Sequence, residues 1–194
     1  MTELSGRKAI SHERIVDVAS HAVRRLGYDG VNVTEVMHAA KLTHGGFYAH
    51  FASRDALLAE AVARAGVDIA HLLREQSGRL VAGGASPFRA FVEIYLSMDH
   101  VRDCDNGCPV SLLSGEMFRQ VPEVAKPSRR LIANLHAQVK KALPVGVEAD
   151  AAWTVTSALL GAVQLARALV DGDAKAASAV LADTKKNLLA RYDT

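Results

Sequence analysis

The densest chemistry in this 194-residue chain is the run His100-Val101-Arg102-Asp103-Cys104-Asp105-Asn106-Gly107-Cys108-Pro109. Three chemistries fit these residue types. The first is structural: cysteine is commonly a small buried hydrophobe, and Pro109 suits the first turn of a helix. The second is a thiol switch. At a helix N-terminus the dipole favours thiolate, which makes Cys108 a nucleophile towards oxidants and electrophiles. Cys104, four residues earlier across a glycine-containing turn, is placed to resolve a sulfenic acid as a disulfide. Asp103, Asp105 and Glu116 oppose thiolate formation. The third is a metal held by His100, Cys104 and Cys108, but the spacing departs from paired Cys-x2-Cys and supplies only three ligands. No metal and no cofactor are therefore expected. A small helical redox enzyme using Cys108 and His100 is the alternative function. No partnered Ser/His/Asp set, phosphate loop or His-x3-His pair accompanies them, so the expectation is a protein that is not an enzyme.

A second constellation lies at Asn32 to Asp55, N-V-T-E-V-M-H-A-A-K-L-T-H-G-G-F-Y-A-H-F-A-S-R-D. Asn32 is a good N-cap with Glu35 three residues on, which approximates a capping box. It starts a short helix that ends near Ala40. Thr43 can cap a third helix over His44 to about His50, and Ser53 a fourth that runs into the seventies. A first helix from about His12 to Leu26 precedes them, with Ile15, Val18, Ala19, Ala22, Val23 and Leu26 at helical spacing between Ser11 and Gly27. Residues 1–10 read as a flexible arm with Arg7 and Lys8. Three helices with a tight turn between the second and third follow the helix-turn-helix plan.

This segment resembles the N-terminal signature of the tetracycline-repressor (TetR) family of bacterial transcription regulators. Gly45, Phe47, Tyr48, His50, Phe51, Ser53 and Asp55 fall at the signature's positions. The resemblance implies backbone contacts to DNA from Asn32, Thr34 and Thr43, a phosphate contact from Arg54, and His44 as the side chain that reaches a base edge. Residue chemistry agrees: Tyr48 and His50 can donate to phosphate or base edges, and Gly45 and Gly46 leave a first turn whose N–H groups DNA can approach. Phe47 and Phe51 read as the inward face. Three departures stand out. Lys41 replaces the usual turn glycine, so either it is left-handed or the helix runs one residue longer. Gly46 and Ala49 replace residues that are often larger, which shifts specificity towards DNA shape and the Arg7–Lys8 arm.

Composition limits the alternatives. The chain holds 33 alanines and five prolines, and 23 basic residues face 21 acidic ones for a net +2. Abundant alanine argues for helix, and near-neutral charge excludes binding to nucleic acid through bulk charge. Residues 1–51 carry six Lys/Arg, five acids and five of the eight histidines, among them His21 and His38, which read as exposed surface. Two cysteines make no disulfide framework, and the uncharged run Ala151–Ala166 is too short for a membrane span and reads as a buried helix. The expected location is cytoplasmic, with no membrane partner.

The fold class expected is all-α: a helix-turn-helix DNA-binding domain at residues 1–53 and a larger helical ligand-binding and dimerisation domain at 54–194. Helices are expected over about Phe88–Val101, Pro109–Arg119, Ser128–Leu143, Glu148–Val170 and Asp173–Tyr192, with Pro122 and Pro127 punctuating a junction. The resemblance implies a dimeric regulator of double-stranded operator DNA, most simply a repressor released by a small molecule or electrophile. The apolar side chains from which its ligand pocket could be drawn are Phe88, Phe91, Tyr95, Met98, Leu112, Leu113, Met117, Phe118 and Trp153. The binding set read from them is Phe91, Tyr95, Met98, Cys108, Leu112, Met117 and Trp153. A homodimer seam is expected from Ala152, Val155, Leu159, Leu160, Val163, Leu169, Val180, Leu181 and Leu188, with Ala158, Gly161 and Ala162 allowing close approach.

Overall fold

The computed structural model describes residues 2–148 and 150–193, and the side chains of 6–148 and 150–193. Among them there is helix and no strand. The elements are α1 (Thr2–Leu26), α2 (Val33–Ala39), a 3-10 helix (His44–Ala49), α3 (Arg54–Ala82), α4 (Pro87–Tyr95), α5 (Met98–Arg102), α6 (Pro109–Met117), α7 (Pro122–Ala142), α8 (Ala151–Leu169) and α9 (Ala174–Tyr192).

Side-chain caps start many of them. Asn32 Oδ1 accepts from the N–H groups of Thr34 and Glu35, at 2.8 and 3.3 Å. Ser53 Oγ accepts from Ala56 N, Ser86 Oγ from Arg89 N and Asp173 from Ala176 N. Each satisfies an N–H that the first turn leaves orphaned. Gly27 ends α1 with φ +74°, and a Cβ there would also lie 2.8 Å from Glu116 Oε1. Only glycine fits both constraints.

The long helix α3 is the common rod. It packs on α1, α4 and α7. Buried Ile15, Ala19 and Val23 of α1 and Leu57, Leu58, Ala61 and Val62 of α3 belong to one continuous core that also takes in Val36, Met37, Phe47 and Phe51. α8 and α9 pack against each other and close the far side.

Several boundaries depart from the sequence reading. α1 starts at Thr2 rather than His12, so residues 2–10 are helical and Ser11 lies inside the helix. Leu4, Arg7, Lys8 and Ile10 are adequate helix formers, and a helix already nucleated downstream extends through them. Met1, the remainder of the expected arm, lies outside the described residues. The third helix is a six-residue 3-10 segment, and Thr43 makes no side-chain cap. The Phe88–Val101 helix is two helices, because Ser97 caps His100 N and starts α5 afresh. α7 begins at Pro122 and carries Pro127 inside it. Pro122 needs no N–H at the first position, and Pro127 forfeits one hydrogen bond that α7's buried face offsets. α8 begins at Ala151, not Glu148.

The expected dimer seam is also corrected in part. Ala152, Val155, Leu159, Val163, Leu181 and Leu188 are buried within this one chain. The apolar face read as a seam is largely the internal packing of α8 on α9 and on the body. α8 turns Trp153, Ser157, Gln164 and Leu165 outward instead.

Candidate functional site

The head of the molecule is assembled from α1, α2 and the 3-10 helix. Lys41 holds the turn between the last two with φ +58°, the one non-glycine at positive φ among the described residues. The left-handed alternative is therefore the one adopted. Leu42 N returns to Met37 O at 2.9 Å and Lys41 N to His38 O at 2.9 Å, so the turn closes like a helix C-cap.

Beyond the turn, Thr43, His44, Gly45 and Tyr48 are exposed, and Tyr48 keeps 73% of its surface in solvent. Phe47 and Phe51 are buried with rings stacked 5.5 Å apart, which anchors the short helix from beneath. Gly45 has no positive φ, and a Cβ there would meet nothing within 4 Å. The fold itself makes no demand for glycine at that exposed position. Asn32 and Thr34 are exposed at the start of α2, and the Oδ1 of Asn32 is committed to capping. Six residues of 3-10 helix carry little dipole, so side chains, more than a helix terminus, define the exposed face.

Two expected contact residues are held inward. Arg54 Nε donates to Val31 O at 3.0 Å and its Nη2 donates to Tyr28 O, which pins the α1–α2 loop to the start of α3. His50 is half-buried with an unpartnered, buried Nδ1, and burial followed by the nearby His12 and Lys8 lowers its pKa.

The thiol cluster lies at the body's junction with the head. Cys108 is buried at the N-cap of α6, and its N–H donates to His100 Nε2 at 3.0 Å. His100 Nδ1–H donates to Tyr95 O at 2.7 Å. Both ring nitrogens are thus committed, and burial first of all pushes the imidazole down to about 4. Tyr95 is fully buried, and its phenol is pushed well up by burial and then by Cys108 beside it. Arg167 donates to Val101 O, Ser111 Oγ and His100 O at 3.2, 2.7 and 2.9 Å. Burial lowers its pKa, opposed by Cys104, Tyr95 and Cys108 within reach. Sequence reasoning missed Arg167. Its signal was available: it is the single charged residue of α8.

Among the described residues no three His, Cys, Asp or Glu side chains converge as a metal site. His100 spends the nitrogen a metal would need. Of the expected ligand set, Phe91, Tyr95, Cys108 and Met117 are buried, and Met98 and Leu112 are half-buried. Trp153 is 52% exposed and stacks on His136, centroids 3.9 Å apart, so it lines no interior with the others. Phe118 is likewise exposed. The void beside Cys108 is about 20 Å³, too small for an organic molecule.

The loop carrying the cysteines touches α1. Asp105 O accepts from His21 Nδ1 at 3.0 Å, and Arg25 pairs with Asp105 at 3.7 Å. His21 is thus half-buried against the body rather than exposed, whereas His38 is exposed. α6 adds a second tie, Glu116 Oε2 accepting from Tyr28 N at 3.0 Å, and α7 a third, Ser128 Oγ at 2.6 Å from the Tyr28 hydroxyl.

Residues 15–61 match the family model of bacterial regulatory proteins, tetR family. Whole-chain likeness extends to solved structures. The reduced form of NemR from E. coli superposes with a TM-score of 0.70 at 17% identity, over 91% of this chain and 95% of that one. A TetR-family regulator from Agrobacterium tumefaciens gives 0.74 at 17% identity, over 95% and 98%. A TetR regulator from Chloroflexus aurantiacus gives 0.72 at 19% identity, over 94% and 96%. At such identities the likeness is one of fold. No curated protein matches the chain.

Proposed function

We propose that this chain, whose residues 15–61 match the family model of bacterial regulatory proteins, tetR family, is a DNA-binding regulator and not an enzyme: a homodimeric repressor whose grip on its operator is released by a small molecule or an electrophile. The observation that carries the DNA-binding half is the exposed row Thr43, His44, Gly45 and Tyr48 on a short helix anchored by buried Phe47 and Phe51. In this reading His44 and Tyr48 meet base edges, and Asn32, Thr34, Thr43 and the open backbone at Gly45 and Gly46 meet phosphate. His50 and Arg54 support the head from behind, and Arg54 acts by fixing the loop after α1. The head is residues 1–53, divided from the body of 54–194 at the Ser53 cap of α3.

Release is assigned to the thiol cluster. Arg167 places a cation within reach of Cys104 and Cys108. An oxidant such as a peroxide converts Cys108 to a sulfenic acid, and the Cys104 thiol displaces water from it to give the disulfide. That bond reshapes the 103–107 loop, the segment that holds α1 through Asp105. A bulky electrophile added to Cys108 has no void to occupy and displaces the same loop. No described helix is long and apolar enough to cross a membrane.

A gel-shift series with double-stranded DNA flanking the protein's own coding region tests the reading. Retention at low salt, falling by orders of magnitude between roughly 50 and 200 mM salt, is expected. Diamide or a quinone should release the wild type and leave Cys108→Ser bound. Absence of binding at low salt contradicts the DNA reading, and release of Cys108→Ser by the same reagents contradicts the thiol reading.

A further inference from the structure

A groove runs along the outside of the body between α3 and α7, away from the thiol cluster. It consists of two cavities of about 860 and 460 Å³ that share Ala70 and Arg74. From Ala63 to Val81 it follows 19 residues of α3, about 27 Å at the helical rise. Small residues on α3, Ala63, Ala70 and Gly78, line it together with Lys126, Arg130, Asn134 and Gln138 on α7, while Gly66 lets Leu131 of α7 pack close against α3.

Its charge is one-sided. Arg74, Lys126, Arg130 and Lys141 line it, and no acidic residue does. None of these four cations has an ion-pair partner among the described residues. Elsewhere in the body, Arg64, Arg79, Arg89 and Lys185 pair with carboxylates, whereas other surface cations such as Arg129 and Lys186 do not among the described residues. What sets the groove apart is that four cations line it with no acid among them. The cavity between α3, α4 and α5 shows the opposite balance, with Glu93, Asp99 and Asp103 against Arg79 alone. The smaller cavity of the groove is lined by the apolar side chains Leu73, Val81, Phe91 and Ala142 as well as by Arg74 and Lys141. The hydroxyl of Ser77, on its wall, is buried without a partner.

We infer that this groove binds an amphipathic carboxylate, its head group held by Arg74 and Arg130 and its apolar chain laid towards Val81 and Phe91. Guanidinium groups match a carboxylate with two parallel hydrogen bonds, which satisfies both the free cations and the anion. The chain covers Val81, an apolar side chain that is otherwise left partly in solvent. Ser77 offers a further donor along its path.

Calorimetry on the full chain without DNA tests this, with dodecanoate kept below its micelle concentration as the probe. Because no DNA is present, its outcome is separate from that of the operator assay. Saturable binding of one dodecanoate per chain is expected, with dodecanol at least roughly tenfold weaker. Arg74→Gln and Arg130→Gln should each weaken dodecanoate by roughly tenfold, the loss of one charged contact. Gly78→Leu, whose new side chain has open space to enter, should fill the groove and abolish binding while the helix stays intact. Equal affinity for dodecanol, undiminished affinity in the arginine variants, or no binding overturns the proposal. Binding only to phosphatidylglycerol vesicles assigns the groove to a bilayer surface, and loss of dimers in Gly78→Leu assigns it to a second copy. Either result overturns it as well.

Discussion

The Nδ1 of His21 lies 3.0 Å from the carbonyl oxygen of Asp105, and through that bond the first helix of the head rests on the loop between the two cysteines. The carbonyl accepts, so the imidazole carries its proton on Nδ1. The neighbouring Arg25–Asp105 pair is solvent-exposed on both sides and adds little. His21→Ala should therefore cost about 1 kcal/mol, the net worth of one hydrogen bond. It should also blunt the release of DNA by diamide, because the loop then moves without pulling α1. Urea denaturation checks the first expectation and anisotropy of bound DNA the second. Unchanged release in His21→Ala would break the proposed route.

Lys41 occupies left-handed backbone at φ +58°. A lysine there costs about 1 kcal/mol relative to a residue without Cβ. Lys41→Gly should raise stability by about that amount, and a thermal melt reads it directly. Lys41→Asn separates shape from charge, since asparagine tolerates the same backbone without the cation. A DNA affinity that falls equally in both variants assigns Lys41 a phosphate contact.

His100 is neutral in the fold, giving one proton to Tyr95 O and accepting one from Cys108 N. Its pKa is lowered from 6.5 to about 4. The unfolded chain therefore binds the extra proton first. The stability that His100 contributes is complete above about pH 6.5 and is lost as pH falls towards 4, by up to about 3 kcal/mol. His100→Asn should start less stable but show a flatter pH dependence over that window. Parallel curves for variant and wild type would contradict the assignment.

Gly27 ends α1 at φ +74° with the Glu116 carboxylate 2.8 Å from where a Cβ would lie. Glu116 also accepts from Tyr28 N. Gly27→Ala should cost about 2 kcal/mol, combining left-handed strain with a displaced carboxylate. Hydrogen exchange should quicken at the Tyr28 amide before it does in the core of α3.

The head was legible in the sequence because local rules govern it. Asn32 and Ser53 are caps whose partners lie within three residues, and Phe47 and Phe51 follow from the inward face of a short helix. Elements decided by distant packing were not legible. Pro122 and Pro127 both read as breaks, yet α7 runs through the second because its apolar face is buried against α3. Arg54 reads as a surface cation until the loop after α1 folds over it. Trp153 reads as core by its size, and it lies outside because α8 turns Ala152 and Val155 inward instead. Arg167 shares no sequence neighbourhood with Cys104 or Cys108, and only the packing of α8 on α5 brings them together.

The most direct test of the account is capture of sheared genomic DNA from the source organism by the purified chain, followed by sequencing of what is retained. The account predicts a recurring palindrome, its half-sites separated by about one or two turns of the duplex. His44→Ala and Tyr48→Phe should lose the sequence preference while keeping salt-sensitive retention. Retention of fragments without any common sequence, or an unaltered palindrome in His44→Ala and Tyr48→Phe, would contradict it.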